Sequence, residues 1–173
     1  YEDVSLLTVS HEIGADVGQL FNHLTGFDRS GHYRKLWVAP ETLRSSLLER
    51  IRAEAAAGDG SIVIKVNAIG DPELIDALYE ASQAGVEIDL IVRGICCLRP
   101  GVLGLSERIR VRSILGRYLE HSRIWRFGSP ARGFRSFIGS ADLLRRNLDQ
   151  RVEVVTEIED PDLASRLDEI LAL

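Results

Sequence analysis

The sequence has no apolar run long enough to cross a lipid bilayer. Its longest runs, such as SLLTV and DLIV, contain a handful of residues, whereas a membrane-spanning helix needs about 20. No positively charged start followed by an apolar segment has the pattern of a secretory signal. We therefore expect a cytoplasmic protein, and the sequence leaves open a peripheral attachment to the inner face of the membrane.

Cysteine is scarce, and its placement excludes two classes of protein. The only cysteines are the neighbours Cys96 and Cys97, which supports neither a disulfide framework nor a zinc site. We predict reduced, partly buried thiols. The whole chain is 45% hydrophobic and 27% charged, which is the composition of a globular protein with a core. No linker or repeat divides the sequence, so we predict one domain over residues 1–173.

Lysine is scarce as well, since nineteen of the 21 basic residues are arginines. Between Arg93 and Arg151 there are thirteen arginines and four acidic residues, a local charge of +9 in a chain whose net charge is −5. The planar guanidinium group matches the oxygens of phosphate and carboxylate groups. This region is a candidate site for an anion, and a solvated basic surface is the alternative.

Strand and helix patterns alternate in the first half of the sequence. We predict helices at EIGADVGQLFNHLTG, PETLRSSLLERIRAEAAAG and DPELIDALYEASQAG, and strands at VSLLTV (residues 4–9), KLWVA, SIVIKVN and VEIDLIV. Asp71 is a predicted N-cap, Gly58 and Gly85 mark predicted helix ends, and FDRSGHY is predicted to be a loop. The strand–helix–strand crossovers imply parallel pairing.

The second half predicts four further strands. RIRVRSI alternates, with Arg108, Arg110 and Arg112 on one face, and HSRIWRF and FRSFIGS form a hairpin around the turn GSPARG. RVEVVTEI is a strand, and DPDLASRLDEILAL is a helix with Asp160 as its N-cap. The simplest assembly of these elements is an α/β fold with one mixed β-sheet flanked by helices.

A basic pair interrupts what otherwise reads as a buried strand, YLEHSRIWRF. Period two places His121 and Arg123 on one face of that strand. Histidine can exchange a proton with a phosphate oxygen, and Arg123 adds a fixed positive charge. A hydrogen-bonded core histidine is the alternative for His121.

A Gly-Ser turn ends the partner strand of the hairpin and would meet the basic pair at the same end of the sheet. Gly139 would permit close approach to the backbone. Ser140, predicted to open a short helix at SADLLRRN, would offer its hydroxyl and backbone N–H groups to an anion. Asp142 and Asn147 belong to the same set, without an assigned role.

The pattern H-x-[KR] followed by G-S resembles the motif of the phospholipase D superfamily, in which paired copies surround a phosphate. Here Arg123 stands in place of the usual lysine, and GSAD stands where those enzymes have asparagine after the turn. The resemblance implies a phospholipase D-like domain. It also leaves open a phosphodiesterase or nuclease that uses His121 as a nucleophile after dimerisation.

A closer resemblance is carried by RGICCLRPG, by R-x-LEHSRI, and by YEDVSLLT, RKLWVAP and GSADLLRRNLDQRVEV. These segments are similar to the C-terminal part of the polyphosphate kinase family, and the likeness covers nearly the whole chain. Two departures concern packing: LLR replaces Trp-Met-Pro after SAD, and KVN replaces Lys-Met-Asn.

The resemblance implies a role for each matching residue. Tyr1 would stack on the base of ATP, Arg93 would bind its phosphate oxygens, and His121 would be the catalytic histidine. Arg123 and Ser140 complete the implied phosphate site. Arg93 also follows the apolar strand IDLIV, at the end where open α/β sheets bind ligands. The remaining histidines, His11, His23 and His32, match no family motif and are predicted to be surface or capping residues.

The resemblance also implies an activity that this chain would share with other domains. The family transfers the terminal phosphate of ATP reversibly to polyphosphate through a phosphohistidine, carried on an upstream sister domain that lies outside this sequence. We expect ATP, ADP, polyphosphate and upstream domains as partners, a homo-oligomer, Mg²⁺ ligands outside this chain, and no nucleic acid. The isolated chain is expected to be inactive. A non-catalytic polyanion-binding domain is the other alternative.

Overall fold

The computed structural model describes residues 1–27 and 31–173, so part of the predicted loop FDRSGHY lies outside the described residues. In these two ranges there are five helices and seven strands. In chain order they are α1 (His11–Leu24), β1 (Leu36–Ala39), α2 (Leu43–Ala57), β2 (Ser61–Val66), α3 (Pro72–Gln83), β3 (Glu87–Val92), β4 (Ile109–Arg112), β5 (Arg123–Ser129), β6 (Gly133–Gly139), α4 (Arg145–Asp149), β7 (Glu153–Ile158) and α5 (Pro161–Leu171).

The seven strands form one mixed sheet, which confirms the predicted α/β fold with flanking helices. Their order is β1-β7-β6-β5-β2-β3-β4. β2 pairs with β3, and β3 with β4, in parallel. The remaining pairs, from β2 through β5, β6 and β7 to β1, are antiparallel. The predicted hairpin is therefore confirmed as β5 and β6, which lie in the middle of the sheet.

One of the two predicted parallel pairings is wrong. The crossover through α3 joins the adjacent parallel strands β2 and β3, but β1 lies at the sheet edge, separated from β2 by β7, β6 and β5. Helix α2 connects β1 to β2 and spans the three strands that separate them. The buried side chains of α2 share one apolar cluster with Trp125 and Phe137 of the hairpin. Helix α2 therefore covers β5 and β6, two of the strands that lie between β1 and β2.

The two faces of the sheet bury different apolar clusters, as strand alternation requires. Trp125 and Phe127 of β5 lie on the face that packs against α2 and α3. Ile124, which lies between Arg123 and Trp125 in the sequence, packs on the opposite face with Leu167 and Leu171 of α5. Helices therefore cover both faces of the sheet, and the core consists of two layers.

The predicted strand over residues 4–9 is wrong. Glu2 forms an isolated bridge with Glu120, and the segment after it pairs with no strand of the described sheet. Val4 and Leu6 pack against the α5 side of the sheet, whereas Leu7 and Val9 are each 97% exposed. An apolar run predicts extended backbone, but a strand also requires a partner edge, and this segment lies over the face of the sheet.

The caps of the helices follow the prediction, with one exception. Asp71 and Asp160 accept hydrogen bonds from backbone N–H groups in the first turns of α3 and α5, and Gly58, with φ 73°, ends α2. The short helix predicted to open at Ser140 begins instead at Arg145. The five residues before α4 are not helical. At their start, the N–H of Ser140 donates to the carbonyl of Val154 in β7.

Gly139 is required for the packing of β6 against β7. A Cβ atom at this position would lie 2.4 Å from the Val154 carbonyl oxygen and 2.6 Å from a methyl carbon of Val155. The close approach predicted for Gly139 is therefore real, but the group that approaches is the neighbouring strand.

We expect Gly139→Ala to lower the free energy of unfolding by about 1–3 kcal/mol or more, because the added methyl group overpacks a strand pair that cannot separate locally. Chemical denaturation measures the loss. Gly14→Ala is the matched control, since no atom lies within 4 Å of a Cβ there and alanine favours the helix by about 0.5–1 kcal/mol. Equal stability of Gly139→Ala and wild type would contradict this packing argument.

Candidate functional site

Four strands bring the predicted site residues to one edge of the sheet. β2 and β3 end side by side at Val66 and Val92, and β5 begins at Arg123 opposite the last residue of β6, Gly139. Residues that follow β2, β3 and β6, or precede β5, therefore emerge together. We call this end of the four strands the phosphate edge, after the ligand that the sequence predicts for it. It is the edge at which open α/β sheets commonly bind ligands.

His121 lies directly before β5 at the phosphate edge, with one third of its side chain exposed. Its Nδ1 atom is 2.8 Å from a carboxylate oxygen of Asp3, and Nη1 of Arg123 lies 3.0 Å from Nδ1 and 3.2 Å from Nε2. A carboxylate can only accept a hydrogen bond and a guanidinium can only donate one. The contact with Asp3 therefore favours a proton on Nδ1, which in a neutral ring leaves the lone pair on Nε2, whereas Arg123 lies within hydrogen-bond distance of both ring nitrogens and does not select between them.

Arg123 contacts three groups at once. Its Nη1 atom is 2.9 Å from the carbonyl oxygen of His121 as well as close to the imidazole ring. Its Nε and Nη2 atoms are 3.3 and 3.4 Å from the two carboxylate oxygens of Asp142. The side chains of Arg123 and Asp142 are both nearly buried, at 11% and 12% exposure, so this ion pair is poorly screened by solvent. The predicted pair of His121 and Arg123 is thus in direct contact.

Asp3 is the carboxylate partner of His121, and the sequence reasoning missed it. Burial opposes its ionisation, but hydrogen bonds with His121 and with the N–H of Val4 outweigh that effect and hold the pKa of Asp3 below its ordinary value of 3.8. The signal available in the sequence was its position in the family segment YEDVSLLT. Its distance of more than a hundred residues from His121 along the chain concealed the contact.

Tyr1 lies beside His121 because the chain around it is paired with the segment before β5. The N–H of Glu2 donates to Leu119, and the N–H of His121 donates to Glu2, each at 2.8 Å. The ring of Tyr1 stands edge-on to the imidazole, with 5.1 Å between centroids. Tyr1 is 81% exposed, so its ring is accessible for stacking against a planar ligand.

Arg93 reaches the same edge from the end of β3. Its guanidinium group donates to the carbonyl of Glu120, the residue that precedes His121. The carboxylate of Glu120 in turn pairs with the amine of Lys65 at 3.0 Å, and that amine also donates to the hydroxyl of Ser122 at 2.8 Å. Lys65 is only 3% exposed, so a buried cation lies beneath Arg93.

The sequence reasoning missed Lys65 because its run, SIVIKVN, reads as an apolar strand with one solvated residue. A small hollow beside it is lined by Lys65, Asn67, Arg93, Ile114 and Glu120 among others, and His121 does not line it. The amide nitrogen of the Asn67 side chain is buried there and has no hydrogen-bond partner among the residues that the structure describes.

Ser140 is oriented differently from the prediction. Its hydroxyl donates to the carboxylate of Glu153 and accepts a hydrogen bond from the N–H of Val154. The predicted helix N-terminus is absent from this position, because α4 begins five residues later. A phosphate-binding role for Ser140 stays a prediction, and it would require the hydroxyl to leave Glu153. Asn147 also donates to Glu153, at 2.7 Å, so both residues secure the start of β7.

The other histidines lie away from the contacts just described. His11 and His32 are exposed, and His23 is 3.0 Å from a carboxylate oxygen of Glu41 at the end of α1. The two cysteines are free thiols, as predicted, and Cys96 is partly buried, but Cys97 is exposed, so the predicted burial is wrong for Cys97. Burial raises the pKa of the Cys96 thiol.

The carboxylates at the phosphate edge do not fit a magnesium site. Asp3, Glu120 and Asp142 are paired with His121, Lys65 and Arg123. Within residues 1–27 and 31–173 no three His, Cys, Asp or Glu side chains form a group that could hold a metal ion. No helix in the same two ranges is long and apolar enough to span a membrane.

Comparison with known proteins identifies the family. Residues 36–173 match the family described as polyphosphate kinase C-terminal domain 2. The polyphosphate kinase of Mycobacterium avium is 55% identical over 175 residues, which cover 98% of this chain and 23% of that protein. The crystal structure of polyphosphate kinase from Porphyromonas gingivalis has 40% sequence identity and a TM-score of 0.86, and the match covers 95% of this chain and 26% of that one.

A more distant structure confirms the predicted phospholipase D-like fold. A phospholipase D family member from Salmonella typhimurium has a TM-score of 0.57 over 80% of this chain and 90% of its own, at 17% identity, so it shares the fold alone. The chain spans about a quarter of the length of the curated relatives that it matches. On the family match and these identities, the chain belongs to the polyphosphate kinase family, within its C-terminal domain 2.

Proposed function

We propose that this chain forms the part of a polyphosphate kinase that binds ATP and supplies a catalytic histidine. The longer enzyme would transfer the terminal phosphate of ATP reversibly to polyphosphate, through a phosphohistidine on an upstream sister domain. The observation that carries the proposal is the cluster at the phosphate edge. An exposed tyrosine ring, two arginines and an imidazole converge there from three separate segments of the chain.

Phosphoryl transfer depends on positioning and on neutralising the negative charge that spreads over the transferred group. In the proposal, the base of ATP stacks on Tyr1, while Arg93 and Arg123 bind phosphate oxygens with charge-assisted hydrogen bonds. The lone pair on Nε2 of His121 is suited to accept a proton from a phosphate oxygen and return it. The carboxylate of Asp3 would stabilise the imidazolium that forms.

The remaining parts of the proposed reaction belong to the longer polypeptide. Magnesium would supply charge neutralisation when bound, and we expect its ligands outside this chain. A cytoplasmic homo-oligomer that acts on ATP, ADP and polyphosphate, without nucleic acid, stays our expectation for the whole enzyme. For this chain alone we expect no sustained polymer synthesis from ATP, because the proposed phosphohistidine lies elsewhere.

His121→Gln in the full-length polypeptide should lower the rate of polymer synthesis by about 10²- to 10⁴-fold, the usual contribution of a general acid–base group. The variant should still fold, because the side chain is one third exposed, with a small loss of stability from the missing contact with Asp3. Initial rates with ATP, together with thermal unfolding, measure both effects. His11→Gln is the matched control on the exposed start of α1. A His121→Gln enzyme with nearly full activity would remove His121 from the mechanism.

Arg93→Gln should weaken ATP binding by about 10- to 100-fold, the range expected for one lost charge-assisted hydrogen bond. Titration calorimetry of the full-length protein with a non-hydrolysable ATP analogue measures the change. Arg108→Gln removes the same charge from the opposite end of the sheet, where Arg108 pairs with Glu87, and should leave binding unchanged. Equal weakening by both variants would indicate a diffuse charge effect and contradict a specific contact.

The carboxyl group of Asp3 should titrate below pH 3.8 in the folded chain, and His121→Gln should move its midpoint upward, since the variant removes the hydrogen-bonding cation. Because the folded pKa is depressed, the contact stabilises the fold above the unfolded pKa, and this contribution is lost as the pH falls through the folded value. Carbon-13 NMR of labelled aspartate measures both midpoints. An Asp3 midpoint that is the same in wild type and variant would show that the two groups do not interact.

A further inference from the structure

Asp142 is the one charged residue of the GSAD segment, and the proposed reaction assigns it no role. It lies after β6, 8% exposed. One carboxylate oxygen accepts a hydrogen bond from the backbone N–H of Asn67 at 2.9 Å. The same oxygen lies 3.3 Å from Nε of Arg123, and the other oxygen lies 3.4 Å from Nη2. The carboxylate is thus fixed to the end of β2 and faces one edge of the guanidinium group.

This arrangement determines where the free edge of Arg123 points. Asp142 occupies Nε and Nη2, so the nitrogen left to other partners is Nη1. That atom lies 3.0 Å from Nδ1 and 3.2 Å from Nε2 of His121, and 2.9 Å from its carbonyl oxygen. A planar guanidinium group held along one edge cannot rotate without breaking both contacts with the carboxylate.

We propose that Asp142 is a positioning residue that holds Arg123 against the imidazole of His121. Through Arg123 it keeps the ring nitrogens of His121 partly covered, while Asp3 accepts the hydrogen bond from Nδ1. It also directs Nη1 to the place where a phosphate oxygen would approach Nε2. Asp142 contacts no reacting atom itself, and this inference rests on the proposed catalytic role of His121.

A purely structural role is the competing account, because Asp142 also ties the segment after β6 to the end of β2 through Asn67. The two accounts differ in what happens at Nε2. If Asp142 acts through Arg123, loosening the guanidinium group should expose the lone pair of His121. If Asp142 only ties two segments together, the chemistry of the imidazole should not change while the chain remains folded.

The first test measures the accessibility of that lone pair in the full-length protein without using enzymatic activity. Diethyl pyrocarbonate modifies neutral imidazole nitrogens, and mass spectrometry of peptides gives a rate for each histidine. Asp142→Asn should raise the rate at His121 about fivefold, the factor for one lost hydrogen bond, with exposed His11 as the internal reference. Asp89→Asn is the matched control, because Asp89 forms a similar partly buried pair with Arg112 at 3.2 Å.

An unchanged rate at His121 in a folded Asp142→Asn protein would overturn the proposal, and so would an equal rise in Asp89→Asn. If Asp142→Asn fails to fold, Arg123→Lys takes its place. Lysine keeps the charge but cannot contact Asp142 and His121 together, so the same rise is expected and its absence is equally decisive. Failure of the kinase activity itself would leave these rates interpretable, which separates this inference from the proposed function.

The second test is a double-mutant cycle on polymer synthesis by the full-length enzyme, with Asp142→Asn and Arg123→Gln. If Asp142 acts through Arg123, the double variant should be no slower than Arg123→Gln alone, because residues that act in series are not additive. Asp142→Asn by itself should lower kcat more than it raises KM for ATP. Losses that multiply in the double variant would show that Asp142 acts independently of Arg123 and would overturn the proposal.

Discussion

The antiparallel pairing of β5 with both β2 and β6 is the constraint on which the rest of the site depends. It sets Ile124 opposite Lys65 and Arg123 opposite Gly139, so the residues just before β5 lie where β2 and β6 end. A shift of one residue in this register would reverse every side chain of β5. Trp125 and Phe127 would leave the α2 layer, and Arg123 would lose Asp142.

Charged side chains are buried at the phosphate edge as ion pairs. Two of the cations close to His121 have a carboxylate partner: Lys65 pairs with Glu120, and Arg123 pairs with Asp142. Unpaired, such groups would be costly to remove from water, and pairing offsets much of that cost. The benefit for the proposed function is preorganisation, since positive groups already fixed in place need not reorganise when a phosphate binds. The side chain of Arg93 donates to a carbonyl oxygen and pairs with no carboxylate of residues 1–27 and 31–173, so its charge remains available to a ligand.

Local signals in the sequence predicted the helices, their aspartate caps and the central hairpin, and the motif residues Arg93 and His121 do reach one edge. The predictions that were wrong are those that depend on pairing between distant parts of the chain. β1 could not be placed from its own residues, because the strands between it and β2 come later in the chain. The run at residues 4–9 has the composition of a strand but finds no partner edge, and Ser140 pairs with β7 instead of opening a helix. Asp3 and Lys65 were missed because contacts with residues far along the chain define their roles.

The central claim is that the triphosphate of ATP binds at the phosphate edge, between Arg93 and His121. A crystal structure of the full-length polypeptide with a non-hydrolysable ATP analogue tests it most directly. The account predicts phosphate oxygens within about 3 Å of the Arg93 guanidinium group and of Nε2 of His121, with the base against Tyr1. A nucleotide bound elsewhere, with its phosphates distant from both residues, would contradict the account.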